Sequence, residues 1–191
     1  IELAKKYPFI YTTVGISPND VDETIEKTQN MINKLQKIIQ QEIQQSKKNN
    51  TKTKIVGIGE IGLDYHWNSE NKQIQQYAFI EQINLANKLE LPIIIHTRDA
   101  VMDTIEILKQ NKVNKKGIFH CCPLNRELVK EAIKLGFYIS FAGPVTFKNS
   151  KNANEIIEMV PNDKILIETD SPYLAPEPVR GTRNDSRNVK Y

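Results

Sequence analysis

Four residues of the chain have the types and the placement to do chemistry together. Glu60 sits in "GEIGLDYHW" and closes the apolar run "KIVGIGE"; His96 closes "LPIIIH"; His120 lies near the end of "GIFHCC"; and Asp170 closes "KILIETD". Two imidazoles and two carboxylates meeting at one point make a site for a divalent ion with mixed nitrogen and oxygen donors, Zn, Mn, Fe or Ni, or Mg where carboxylates dominate. A carboxylate can also bridge two ions about 3.5–4 Å apart, the arrangement with which phosphodiester and amide hydrolases activate water and neutralise an oxyanion. Taken singly, a His at a strand end is ordinarily a hydrogen-bonded rim residue, and an Asp before Ser-Pro is ordinarily a turn residue. Their recurrence on successive strand ends points to a joint role, and two of the chain's three histidines fall there.

Six apolar runs of the chain can carry these side chains: 9–15, 54–60, 91–96, 117–122, 136–143 and 164–170. They are continuous rather than alternating, as strands buried on both faces of a parallel sheet are. Between them, helical spacing predicts helices over 24–45, 70–90, 100–110, 124–135 and 152–159, the fourth closed by Gly136. Strand and helix alternate throughout, so the fold class is α/β with a parallel sheet and right-handed crossovers. Parallel strands bring their C-terminal ends to one rim, and that rim is where such folds build sites. Glu60, His96, His120 and Asp170 are therefore expected to face one another across it.

Around this set lie residues whose roles the spacing leaves open. His66 lies past the strand end beside Trp67, as a loop residue or a substrate contact; Asp64 reads as a capping residue of that loop. Arg98 is placed to offer a bidentate fork to a phosphate or to pair with Asp99 or Asp103. Cys121 and Cys122 are adjacent, which excludes a disulfide framework and fits a reducing compartment; they read as small buried hydrophobes.

At 191 residues the chain suffices for one domain, 1–191, with a sizeable core. A formal charge of +3 says little about partners. No run approaches the roughly 18 apolar residues of a membrane span, and "IELAKKYPFI" lacks the pattern of a signal peptide. An intracellular protein, cytoplasmic or nuclear and without membrane contact, is expected. The polar stretch 40–54 reads as a helix end passing into a solvated loop.

Taken in order, "GEIGLDYHW", "LPIIIHTRDA", "FHCC" and "IETDSPYLAPEPVRGTRN" resemble the TatD family of metal-dependent deoxyribonucleases, within the amidohydrolase superfamily. The resemblance implies a TIM-type (β/α)8 barrel, one or two divalent ions (Mg, Mn or Zn), and hydrolysis of phosphodiester bonds of DNA from the 3′ end. By that resemblance Glu60 bridges the metals, His96 and His120 hold the second metal position, and Asp170 binds at the first and handles the proton of the attacking water. Ser171, Arg180, Gly181, Arg183 and Asn184 match the loop after the seventh strand, where Ser171, Arg180 and Arg183, with Arg98 and His66, are candidate substrate contacts.

The chain also departs from the family pattern. The His-x-His pair on the family's first strand has no counterpart here, and a "GIHPH"-like element stands as "GISPN", with Ser17 and Asn19 in place of imidazoles. Six strand-like runs stand where the barrel has eight, so a barrel lacking its first strand and its last strand with closing helices is expected. Two other functions fit the same residues: a superfamily hydrolase of another ester or amide, such as that of aminoacyl-tRNA, or a catalytically impaired homologue that binds nucleic acid or a partner.

Overall fold

The computed structural model describes residues 1–67 and 69–191. Its centre is a six-stranded, wholly parallel sheet in sequential order: β1 (Thr12–Val14), β2 (Ile55–Asp64), β3 (Ile93–Arg98), β4 (Gly117–Phe119), β5 (Tyr138–Phe141) and β6 (Ile165–Ile167). A helix α1 (Glu2–Lys6), which the apolar pattern does not reveal, precedes β1. The crossovers are α2 (Ile25–Lys48), α3 (Lys72–Leu89), α4 (Val101–Gln110), α5 (Arg126–Lys134) and α6 (Ala153–Glu158). Unbroken neighbour order with one helix per crossover is the build of a (β/α) barrel, here an open arc whose edges are β1 and β6.

Local chemistry accounts for the helix limits. The Thr24 hydroxyl accepts the Lys27 N–H at the start of α2, and the Asn125 amide oxygen accepts the Leu128 N–H at the start of α5. After α5, Gly136 takes φ +88°, its N–H bonds to Ile133 O, and the Phe137 N–H bonds back to Ala132 O, a Schellman ending that needs the glycine. Among the described residues no helix is long and apolar enough to cross a membrane.

The core lies between sheet and helices. On α3, Phe79, Ile83 and Ala86 are fully buried at helical spacing, against a sheet whose Ile58, Ile61 and Leu63 are equally inaccessible. Each side chain of that size contributes about 1.5–3 kcal/mol by leaving water. Burial on both faces, expected of every run, fails at Val56 of β2 and Tyr138 of β5, which are exposed, and most fully at β6, where Leu166 and Ile167 are exposed, the latter at 69%. As the edge of an open sheet, β6 has no neighbouring strand on its far side among the described residues.

The strand ends also differ from the expectation. β2 does not stop at Glu60 but runs on to Asp64, and β3 runs past His96 to Arg98. Gly59 is paired with Ile94 and Ile61 with Ile95, so Glu60 is the extra residue of a β-bulge, a device that re-aims a side chain out of the regular pleat. Two residues on, Gly62 pairs with His96 at φ +140°, and a Cβ there would stand 2.0 Å from the His96 carbonyl oxygen. Only glycine allows β2 and β3 to approach this closely.

Candidate metal centre

Two glutamines of α3 hold the backbone beneath the site. The Gln82 amide, fully buried, accepts the Ile16 N–H (2.7 Å) and donates to Ile16 O (3.0 Å). Gln75, seven residues earlier on the same face, accepts the Asp64 N–H (2.8 Å) and donates to Asp64 O (2.9 Å). Side-chain amides serve here because the ladder between β1 and β2 ends at Val14 and Ile58, so on that side the main-chain groups of Ile16 and Asp64 have no strand partner and must still be paired inside the protein.

With that frame in place, Glu60, His96 and His120 converge. Among the described residues they form the one group of potential ligands whose donor atoms all lie within 4.8 Å of each other. His120 Nε2 is 2.9 Å from Glu60 Oε2 and 3.4 Å from His96 Nδ1. An ion bound at about 2.1 Å holds neighbouring donors about 3.0–3.4 Å apart, in octahedral or tetrahedral geometry. The spacing and the N, N, O donor set therefore fit a divalent cation.

Each of the three is held from outside by a further group. Ser17 Oγ donates to Glu60 Oε1 (3.1 Å); Asp64 Oδ2 faces His96 Nε2 (3.0 Å); Glu168 Oε2 lies 3.6 Å from His120 Nδ1. Glu168 also accepts the Cys121 backbone N–H. Thus the serine and asparagine that stand where the family has imidazoles are engaged: Ser17 on Glu60, and Asn19, through Nδ2, on Asp64 Oδ2 (3.2 Å).

The electrostatics follow from this packing. The hydrogen bond to His120 draws the Glu60 carboxyl down to about 2, against the cost of burial and with help from His96 and Ser17. Burial opposes charge on His120, yet the carboxylates of Glu168 and Glu60 prevail and lift it to about 10. Without an ion, the pair is a carboxylate and an imidazolium. Asp170 moves the other way: burial raises its carboxyl, and the negative Glu168 and Glu60 add to this while the histidines oppose it. Burial pushes the Cys121 thiol up to about 12 and the Cys122 thiol higher still; Cys122 is the small buried hydrophobe expected, whereas Cys121 is only half-buried and lines the cleft.

The three potential ligands floor a cleft of about 490 Å³, also lined by Arg98, Cys121, Asp170, Ser171 and Tyr173. Asp170 thus faces the site but stands outside the group close enough to share one ion. It lies in the left-handed region at φ +54°, in the turn after β6 closed by Tyr173 N–H to Asp170 O. Arg98 makes neither ion pair the sequence offers it: Asp99 meets His66 Nδ1 (2.9 Å), Asp103 meets the Tyr65 hydroxyl (2.7 Å), and Arg98 lies over the Trp67 ring at 5.4 Å. Ser171 lines both this cleft and a neighbouring one of about 470 Å³ that contains Arg183. Arg180 is turned elsewhere, 3.9 Å over the Phe147 ring. His66 stands edge-on to Trp67 and outside the cleft lining.

Sequence reasoning missed the supports. Asp64 reads as a loop cap, but it is 1% exposed and also faces His96; Glu168, two residues before Asp170 in "IETD", passes unmarked. The available signal was an acid carried inside an apolar strand run, the same signal that singled out Glu60.

The profile of the TatD-related DNase family matches residues 1–191. The chain is 43% identical over 192 aligned residues to the uncharacterized metal-dependent hydrolase YabD of Bacillus subtilis, covering 100% of this chain and 70% of that one. It is 46% identical over 137 residues to the uncharacterized metal-dependent hydrolase YcfH of Escherichia coli, covering 71% of this chain and 52% of the relative. Among solved structures, the TatD homologue YJJV of Escherichia coli superposes with a TM-score of 0.83 at 24% identity, over 99% of this chain and 69% of that one. The extent of these matches, together with the arc of βα units, leaves one assignment: the chain belongs to the TatD-related DNase family, the family of these metal-dependent hydrolases.

Proposed function

We propose that this chain carries the site of a divalent-metal-dependent hydrolase of phosphodiester bonds in DNA, working from the 3′ end. The observation that carries the reading is the convergence of Glu60, His96 and His120 on the floor of a cleft whose wall holds Arg98 and Asp170. Glu60, His96 and His120 would hold the ion, Mg, Mn or Zn by donor type, which when bound supplies Lewis acidity toward a phosphoryl oxygen and toward water. One ion fits these three ligands; a second would call on Glu60 and Asp170.

The remaining work falls to side chains. Asp170, at the cleft wall and with its carboxyl raised by burial, takes the proton of the attacking water and returns it to the leaving oxygen. Arg98, stacked on Trp67, keeps its planar N–H edge for a phosphate that enters the cleft. Trp67 and Tyr173, 70% and 72% exposed, offer faces on which the bases of a single strand can stack. Arg183 and Ser171, in the adjoining cleft, are placed to hold the next phosphate.

The test is degradation of a 5′-labelled single-stranded oligodeoxynucleotide by metal-loaded protein, with Glu60→Ala and an aminoacyl ester substrate in parallel. Shortening from the 3′ end that disappears in Glu60→Ala is expected. Equal degradation by the variant, or turnover confined to the ester, would overturn the reading.

A further inference from the structure

We propose that Asp64 is the positioning residue for His96: its Oδ2 holds the proton on His96 Nε2 and so presents an unprotonated Nδ1 to the ion. The inference rests on the reading of Glu60, His96 and His120 as a metal centre.

The argument starts from how the Asp64 carboxylate is used. It is 1% exposed at the end of β2, and its backbone is clamped on both sides by Gln75. Its two oxygens divide the work. Oδ1 accepts the backbone N–H groups of His66 (3.0 Å) and Trp67 (3.3 Å), which is the loop-capping task. Oδ2 takes no part in that turn; it receives the Asn19 amide (3.2 Å) and faces His96 Nε2 (3.0 Å). A residue needed only as a cap would have no use for that second oxygen inside the protein, where an unpaired carboxylate oxygen is costly.

The consequence for His96 is geometric. A neutral imidazole has one donor and one acceptor nitrogen, and the group met by one decides the state of the other. A carboxylate at Nε2 can only accept, so the proton stays there. Nδ1, the nitrogen 3.4 Å from His120 Nε2 and within the three-ligand group, then carries the lone pair an ion requires. Asn19 completes the arrangement: as a neutral donor to the same Oδ2, it fixes the carboxylate without competing for the ion.

Asp64→Asn tests this with little change of shape. Its amide oxygen can keep the cap to His66 and Trp67, which turns the NH2 group toward Asn19 and His96. That group donates to Nε2 and drives the ring proton to Nδ1, the wrong nitrogen. Two measurements on the intact chain decide the matter. The first is the ring 15N shifts of His96, followed with pH until the neutral form is reached. The Nε2–H form is expected in the wild type and the Nδ1–H form in the variant; an Nδ1–H wild type would overturn the proposal, and that spectrum stands alone if the variant does not fold. The second is zinc titration by calorimetry, where the variant should bind about 10–100-fold more weakly. Equal zinc affinity in a folded variant would also overturn it. A wild type that binds neither zinc nor manganese would overturn the metal-centre reading instead, while the ring shifts still report on Asp64.

Discussion

Replacing Gln82 with leucine tests whether a buried amide on α3 holds the segment that carries Ser17. Gln82 is fully buried and satisfies both main-chain groups of Ile16, itself 6% exposed, at 2.7 and 3.0 Å. Leucine fills nearly the same volume and can pair with neither. Two buried polar groups left without partners cost about 1–3 kcal/mol each, or about 4 kcal/mol together, and the added apolar burial returns about 2 kcal/mol. The net loss is therefore about 2 kcal/mol, a fall of about 1 M in the urea midpoint at a slope of about 2 kcal/mol per molar. Amide hydrogen exchange should rise most at Ile16 and Ser17, since the damage is local before it is global. A midpoint unchanged within about 0.2 M, or a fall with exchange raised evenly over the sheet, would show that Gln82 does not hold this segment.

Three further outcomes follow from the packing and charge of the site. Gly62→Ala places a Cβ 2.0 Å from the His96 carbonyl oxygen at φ +140°, so it should cost more than about 3 kcal/mol in urea unfolding or yield insoluble protein; a loss below about 1 kcal/mol contradicts the close approach. Because burial raises both thiols, neither Cys121 nor Cys122 should be alkylated by iodoacetamide near pH 8 in the folded protein, and both should be after unfolding, as counted by mass spectrometry. In the metal-free protein, Glu60, lowered from 4.5 to about 2, contributes stability present above 4.5 and lost as pH falls; His120, raised from 6.5 to about 10, contributes stability present below 6.5 and lost as pH rises. The difference in melting temperature between wild type and His120→Gln should accordingly be largest between 4.5 and 6.5 and shrink as pH rises toward about 10; a constant difference would show that the ion pair does not act.

Much of the fold was readable because burial on a parallel sheet leaves a mark in the order of residues. The runs 91–96 and 117–122 mark β3 and β4, the latter ending already at Phe119, the spacing of α4 and α5 is helical, and Gly136 announces its own turn. Glu60, His96 and His120 were legible as potential ligands because an acid and two imidazoles interrupt or close those apolar runs. The limits of β2 and β3 were not legible, since Gly62 and Asp64 break the apolar run while the backbone ladder continues through them. Exposure of Leu166 and Ile167 could not be read either, because being an edge is a property of the sheet and not of the strand.

Residue type and order along the chain were enough to read the family and the alternation of strand and helix, and to single out candidate ligands. Strand pairing and packing are what put Glu60 in a bulge, leave Asp170 facing the cleft from outside the three-ligand group, and bring Asp64, Ser17 and Glu168 each behind one of its members. The bond between Asp64 and His96, 32 positions apart, depends on the register of two neighbouring strands, and that between Ser17 and Glu60, 43 apart, on how the segment after β1 packs over β2; a one-residue slip would abolish either without altering a single local pattern.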